Sequence, residues 1–156
     1  MRAMTDQRVI TWLDPGLTTG LAWWDMDAEV FGSWQYEQAD LFKRLACMTD
    51  LYGQRLWVGY EKYLITSAGP RRGTPKHSLE VIAVVRDLAH ANVFELLPSM
   101  PSSARLLGNV TMLRRLGWYK PGKPHANDAA QHTLAYLLRE KKLPRDLIKK
   151  ALGSAP

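Results

Sequence analysis

Val9-Ile10-Thr11-Trp12-Leu13-Asp14-Pro15-Gly16 is a β-branched and apolar run that stops on an acid and a turn. Such residues suit a pleated, buried surface, and Pro15-Gly16 cannot continue a central strand. The run therefore reads as a strand with Asp14 at its end. Leu21-Ala22-Trp23-Trp24 reads as a second strand, and 25–29 as a polar turn. Val30-Phe31-Gly32-Ser33-Trp34 returns as a third. The connections are too short for helices, so the three form a meander.

Downstream the period changes. Leu41, Phe42, Leu45, Cys47-Met48 and Leu51 recur near 3.6 residues and predict a helix ended by Gly53. Leu56-Trp57-Val58-Gly59-Tyr60 is a strand closed by Glu61. Residues 66–76 are polar and basic and read as a loop. Leu79, Ile82, Ala83, Val85 and Ala89 predict a helix, and 91–96 a last short strand. Ser102 is placed to cap one short helix, and Val110–Leu116 forms another. Gly117 to Pro124 reads as a loop. His125 opens a long helix running to about residue 142 through Ala130, Leu134, Leu137 and Leu138. Pro144 opens a final basic helix. The order predicts an α/β fold, a central mixed five-stranded sheet flanked by helices. One domain spans 1–156, with a basic helical C-terminal tail from about 143.

The 156 residues allow one hydrophobic core. No apolar stretch is long enough for a membrane span, and residues 1–6 lack the apolar run of a signal peptide. A cytoplasmic protein with no membrane partner is expected. Cys47 is the only cysteine and reads as a semi-buried small side chain, without a metal knuckle or an internal disulfide. The net charge of +6 favours a polyanionic partner. The cations cluster as Arg71, Arg72 and Lys76, as Arg114, Arg115, Lys120 and Lys123, and as Lys141, Lys142, Arg145, Lys149 and Lys150. One such cluster is often only a solvated face, but three together favour a nucleic-acid backbone.

Three acids stand where chemistry is possible. Asp14 ends the first strand, beside Gly16 and Gly20, which permit close approach of backbone or ligand. Glu61 ends another strand, with Lys62 as an alternative ion-pair partner. His125 and Asp128, at i and i+3, share a face at the start of the long helix. Asp128 falls in its first turn, where capping by Asn127 or Asp128 is the plainer explanation. Converging carboxylates suit Mg²⁺ or Mn²⁺, and a pair of such ions assists phosphoryl displacement. There is no P-loop, and His77, His90, His132 and Ser67 make no nucleophile triad. Most of the six tryptophans read as strand and core residues. Trp118-Tyr119, in a basic loop, is placed either to stack on a base or to pack.

The stretch Ile10–Gly20, then Val58-Gly59-Tyr60-Glu61, then His125-Ala126-Asn127-Asp128-Ala129-Ala130 resembles RuvC-type Holliday junction resolvases, in particular their small phage-encoded branch. The resemblance spans about residues 9–140. It implies an RNase H-like fold, a homodimer and paired cleavage of branched double-stranded DNA with Mg²⁺ or Mn²⁺. A bacterial host's cytoplasm would be its place of work if phage-encoded. Carried onto this chain, Asp14 bridges two ions, and Glu61 and Asp128 are further ligands. His125 stands where many members have Asp, to hold a metal or position water or leaving group. Family members place an aromatic wedge where this chain has Leu64, with Tyr63 beside it. Tyr63, Arg71, Arg72, Lys76, Arg114, Arg115, Lys120 and Lys123 are the expected DNA contacts. A nuclease for flaps, forks or other replication intermediates would use the same acids. A non-enzymatic DNA-binding module with a relic site is a third reading. Actin-like ATPases share the Asp-x-Gly turn, but the chain is short for their two lobes.

Overall fold

The computed structural model describes residues 8–60, 76–91, 93–97 and 106–154. Strands β1 (Val9–Asp14), β2 (Thr18–Asp25) and β3 (Val30–Glu37) form an antiparallel meander. Helix α1 (Gln38–Tyr52) follows, then β4 (Leu56–Tyr60). Helix α2 (Lys76–His90) precedes β5 (Glu95–Leu96). Among the described residues three α-helices follow β5: α3 (Val110–Leu116), α4 (Pro124–Arg139) and α5 (Arg145–Leu152). The sheet is mixed, with order β3-β2-β1-β4-β5 and β4 parallel to both β1 and β5. The expected five-stranded α/β sheet is present.

Strand alternation sorts the core into two layers. Ile10, Trp12, Ala22 and Trp24 bury one face of the sheet against α3, α4 and α5. Val9, Leu13, Leu21 and Val58 bury the other against α1 and α2. Asp14 shares parity with Ile10 and Trp12, so it belongs to the α4 face. Helix α4 lies across β1, β2 and β3. Its sheet side is rich in alanine, with Ala126, Ala129 and Ala130 fully buried. Small side chains let the helix axis approach the strands closely, and Leu134 and Leu137 then fill the space further along.

The strands run longer than their hydrophobic signals. Thr18, Thr19 and Gly20 join β2, and Gln35, Tyr36 and Glu37 join β3. Ladder hydrogen bonds extend through polar residues wherever one neighbour is available, which an apolar run does not reveal. Lys76 begins α2 rather than ending a loop. Leu51 is exposed, whereas Leu41, Leu45 and Met48 carry the buried face of α1. Cys47 is exposed, not semi-buried, because it follows Leu45 by two residues and so turns away from that face. The C-terminal segment is no loose tail. Leu143 and Ala151 are buried, Leu147 and Ile148 pack on the same core, and Arg115 Nη1 donates to Ala151 O at 3.1 Å. The expected cap at Ser102 lies outside the described residues. Among the described residues no helix is long and apolar enough to cross a membrane.

Candidate active site

Asp14 is the last residue of β1 and pairs with Gly20 of β2. Beyond it, Thr19 closes the turn: its Oγ1 donates to Gly16 O at 3.2 Å and accepts from Gly16 N at 3.3 Å. Ser78 Oγ, at the start of α2, donates to Pro15 O at 2.9 Å. The turn after Asp14 is therefore tied both within itself and to α2.

The start of α4 reaches Asp14 from the other side. His125 Nδ1 lies 2.8 Å from Asp14 Oδ2. A carboxylate only accepts, so Nδ1 is the donor, which turns Nε2 away from Asp14. The Asp14 side chain is 10% exposed and that of His125 43%, so the pair opens to solvent on the histidine side. A shielded carboxylate needs such a partner.

Gly20 permits the approach. A Cβ built there would lie 1.8 Å from His125 O and 2.9 Å from Ala126 N, with no side chain between strand and helix. A residue next to Asp14 on the sheet thus sets how near the helix can come.

Asp128 lies one turn further along α4, on the His125 side. The helix begins at Pro124 with Lys123 as N-cap, and no acid lies in its first turn. Asp128 is therefore not a first-turn residue, because Pro124 starts the helix early with a φ already suited to it. Neither Asn127 nor Asp128 caps the helix by its side chain. Gln131 Nε2 donates to Asp128 Oδ1 at 3.2 Å, and His132 Nδ1 lies 3.0 Å from Asp128 O. His132 is buried and stacks on Trp12, with ring centroids 5.4 Å apart and planes 4° from parallel. The histidine packs α4 against β1. Among the described residues no three His, Cys, Asp or Glu side chains form a metal-binding group. Asp14 and His125 are brought together, and Asp128 does not complete a trio with them. Glu61 lies outside the described residues, although β4 beside β1 pairs Tyr60 with Leu13.

The expected DNA contacts fare differently. Tyr63, Arg71 and Arg72 lie outside the described residues. Lys76 is exposed and 3.8 Å from Glu80, a surface pair of little energetic weight. Arg114 covers the Tyr119 ring at 4.7 Å, and Arg115 joins α3 to α5. Trp118 is buried and stacked on Phe31 at 4.0 Å between centroids, so it packs and does not await a base. Lys120 and Lys123 lie shortly before His125 in sequence and against Trp34 in space.

Asn127 secures the segment that carries them. Lys120 N donates to Asn127 Oδ1, and Asn127 Nδ2 donates to Lys120 O, both at 2.8 Å. The amide side chain meets the backbone as a second peptide would. Asn after His-Ala at a helix start is the only sequence sign of this clamp, and capping explains that sign equally well. Asn127→Leu removes both bonds and strands the Lys120 backbone groups. The expected cost is about 1–3 kcal/mol, a fall of roughly 2–12 °C in Tm for a domain of this size. A melting point matching wild type in differential scanning calorimetry would show that the clamp contributes nothing.

No protein-family model matches the chain, and a search of the curated proteins finds no match.

Proposed function

We propose that this chain is a metal-dependent, structure-selective DNA endonuclease of RuvC-like type that resolves Holliday junctions by paired phosphodiester hydrolysis. The observation that carries the reading is the Asp14–His125 pair, which joins two of the motifs that resemble the family at one end of the sheet. The mixed sheet with a β1–β2–β3 meander and parallel β4 agrees with an RNase H-like fold.

The donor set fits Mg²⁺ or Mn²⁺ in kind: Asp14, Asp128 and Glu61 offer carboxylate oxygens, and His125 an imidazole nitrogen. These four residues would hold the ions, two per site in this reading. Bound divalent ions supply an activated water and neutralise charge on the attacked phosphate. The protein's own contribution is placement. Asp14 fixes the His125 ring through Nδ1, leaving Nε2 to ligate or to accept a proton from water. The turn 14–20 and the close Gly20 contact hold both on rigid elements. Lys76, Lys120 and Lys123 lie on segments flanking this end of the sheet, where their charge suits the phosphates on either side.

The direct test is a panel of four-way junction, flap, fork and linear duplex DNAs with Mn²⁺, Mg²⁺ or chelator. Ion-dependent cutting concentrated on the junction is expected. Cutting concentrated on flaps or forks would replace the substrate, and no ion-dependent cutting of any DNA would end the enzyme reading.

A four-way junction needs two cuts, so the working unit in this reading is a homodimer. Helix α2 turns Ser78, Val81 and Val85 to its own sheet, and beside them a groove of about 430 Å³ between α1 and α2 is lined by Phe42, Leu45, Val84 and Leu88. This face is the proposed interface. Mixed dimers of wild-type and Asp14→Asn subunits are expected to nick a cruciform plasmid that wild-type dimers linearise. Full linearisation by an isolated mixed dimer would show that one site makes both cuts.

A further inference from the structure

Trp34 sits on β3, the edge strand, and is 44% exposed. Lys123 Nζ lies 4.6 Å from its ring centroid and Lys120 Nζ 5.5 Å. Neither lysine has a carboxylate partner among the described residues. Two unneutralised ammoniums at one exposed indole repel each other, and the ring's quadrupole offsets that only in part. An anion arriving there would be favoured by both.

The patch is next to the candidate active site. Gly20 pairs with Asp14 on one side and with Gln35 on the other. Neighbouring strands lie about 4.8 Å apart, so the Gln35 backbone is roughly 10 Å from Asp14 on the same sheet face. Trp34, the next residue along, turns to the other face at the open edge of the sheet, where Lys120 and Lys123 reach round to it from the segment leading into α4. Lys123 directly precedes Pro124-His125, and the Asn127 clamp fixes the Lys120 backbone.

We propose that Trp34, Lys120 and Lys123 form a nucleotide platform. An unstacked base of the strand being cut takes the indole face that the two ammoniums now cover, and the ammoniums move from the ring onto its phosphate. A base in regular duplex has both faces covered by its neighbours and cannot take an indole. A branch point offers bases that have lost a neighbour. The platform therefore deepens the nuclease reading, on which it rests, by giving a physical source of preference for branched or single-stranded DNA over continuous duplex.

The test is metal-free binding of a short oligothymidylate and of a four-way junction in chelator, followed by intrinsic fluorescence. Trp34 is the most exposed of the six tryptophans, with Trp23 and Trp57 half-buried and Trp12, Trp24 and Trp118 buried. Wild type is expected to be quenched on binding. Trp34→Ala is expected to lose most of the quenching and to bind the oligonucleotide roughly 5- to 100-fold more weakly. Trp34→Phe should recover part of the affinity without the signal. Lys120→Ala/Lys123→Ala should weaken binding and flatten its salt dependence by about two phosphate contacts, with Trp34 in place. Oligonucleotide affinity of Trp34→Ala within about twofold of wild type would overturn the platform, whatever the enzyme cuts. Quenching by oligonucleotide in a protein that cuts no DNA would uphold the platform and overturn the nuclease.

Discussion

Asp14→Asn is expected to bind a four-way junction as wild type does and to cut it at least about a thousandfold more slowly, the scale of several kcal/mol of lost charge stabilisation. The substitution isolates charge from shape. Asn keeps an oxygen that accepts from His125 Nδ1, so the 2.8 Å contact between β1 and α4 has a route to survive. The cations of the Lys120–Lys123 segment are untouched. What disappears is the negative charge that would hold a divalent ion. Binding in chelator and cutting in Mg²⁺, measured on the same preparation, separate the two effects. Cutting within a fewfold of wild type would remove Asp14 from the centre, and with it the proposed enzyme. Lost binding together with lost melting stability would assign Asp14 a structural role instead.

Gly20→Ala should damage the protein through geometry alone. The new methyl would meet His125 O at 1.8 Å and His125 C at 2.2 Å, and both are backbone atoms that no rotamer change can move. Strand β2 is held between β1 and β3, so the start of α4 has to yield. Overpacking of this kind costs about 3 kcal/mol at the upper end of its usual range, or roughly 6–12 °C in Tm here. Moving His125 by about 1 Å relative to Asp14 is also expected to cost about a hundredfold in cutting rate. Calorimetry and a junction-cutting time course measure the two effects separately. A variant that melts with wild type would mean that the helix does not lie against the strand at Gly20.

Most of the sheet was legible because its signals are local. Val9–Asp14 alternates between two core layers that are both apolar, and the Asp-Pro-Gly sequence stops it where a side chain can face outward. The close approach at Gly20 was half legible: glycine announces that something comes near, but the partner, His125, is far away along the chain. Asn127 was opaque for a different reason. Its clamp on Lys120 and an ordinary helix cap use the same residue type at nearly the same place. Trp34 and Trp118 could not be placed from sequence, where most tryptophans read as core and Trp118 stood open between stacking and packing. Strand residues are expected inside and loop aromatics outside, yet β3 is an edge strand that leaves Trp34 exposed, while the loop folds Trp118 back onto Phe31. Only the neighbours decide such cases, and the neighbours belong to other elements.

The two members of the central pair are separated by 111 residues. Synthesis delivers Asp14 first, within a meander whose strands are joined by short turns and can form early. The histidine follows 111 residues later, and α4 then has to dock across strands that are already paired. A partly made chain consequently lacks the Asp14–His125 contact. In the proposed nuclease, this long separation between the two halves of the centre would keep a stalled or truncated product from cutting DNA.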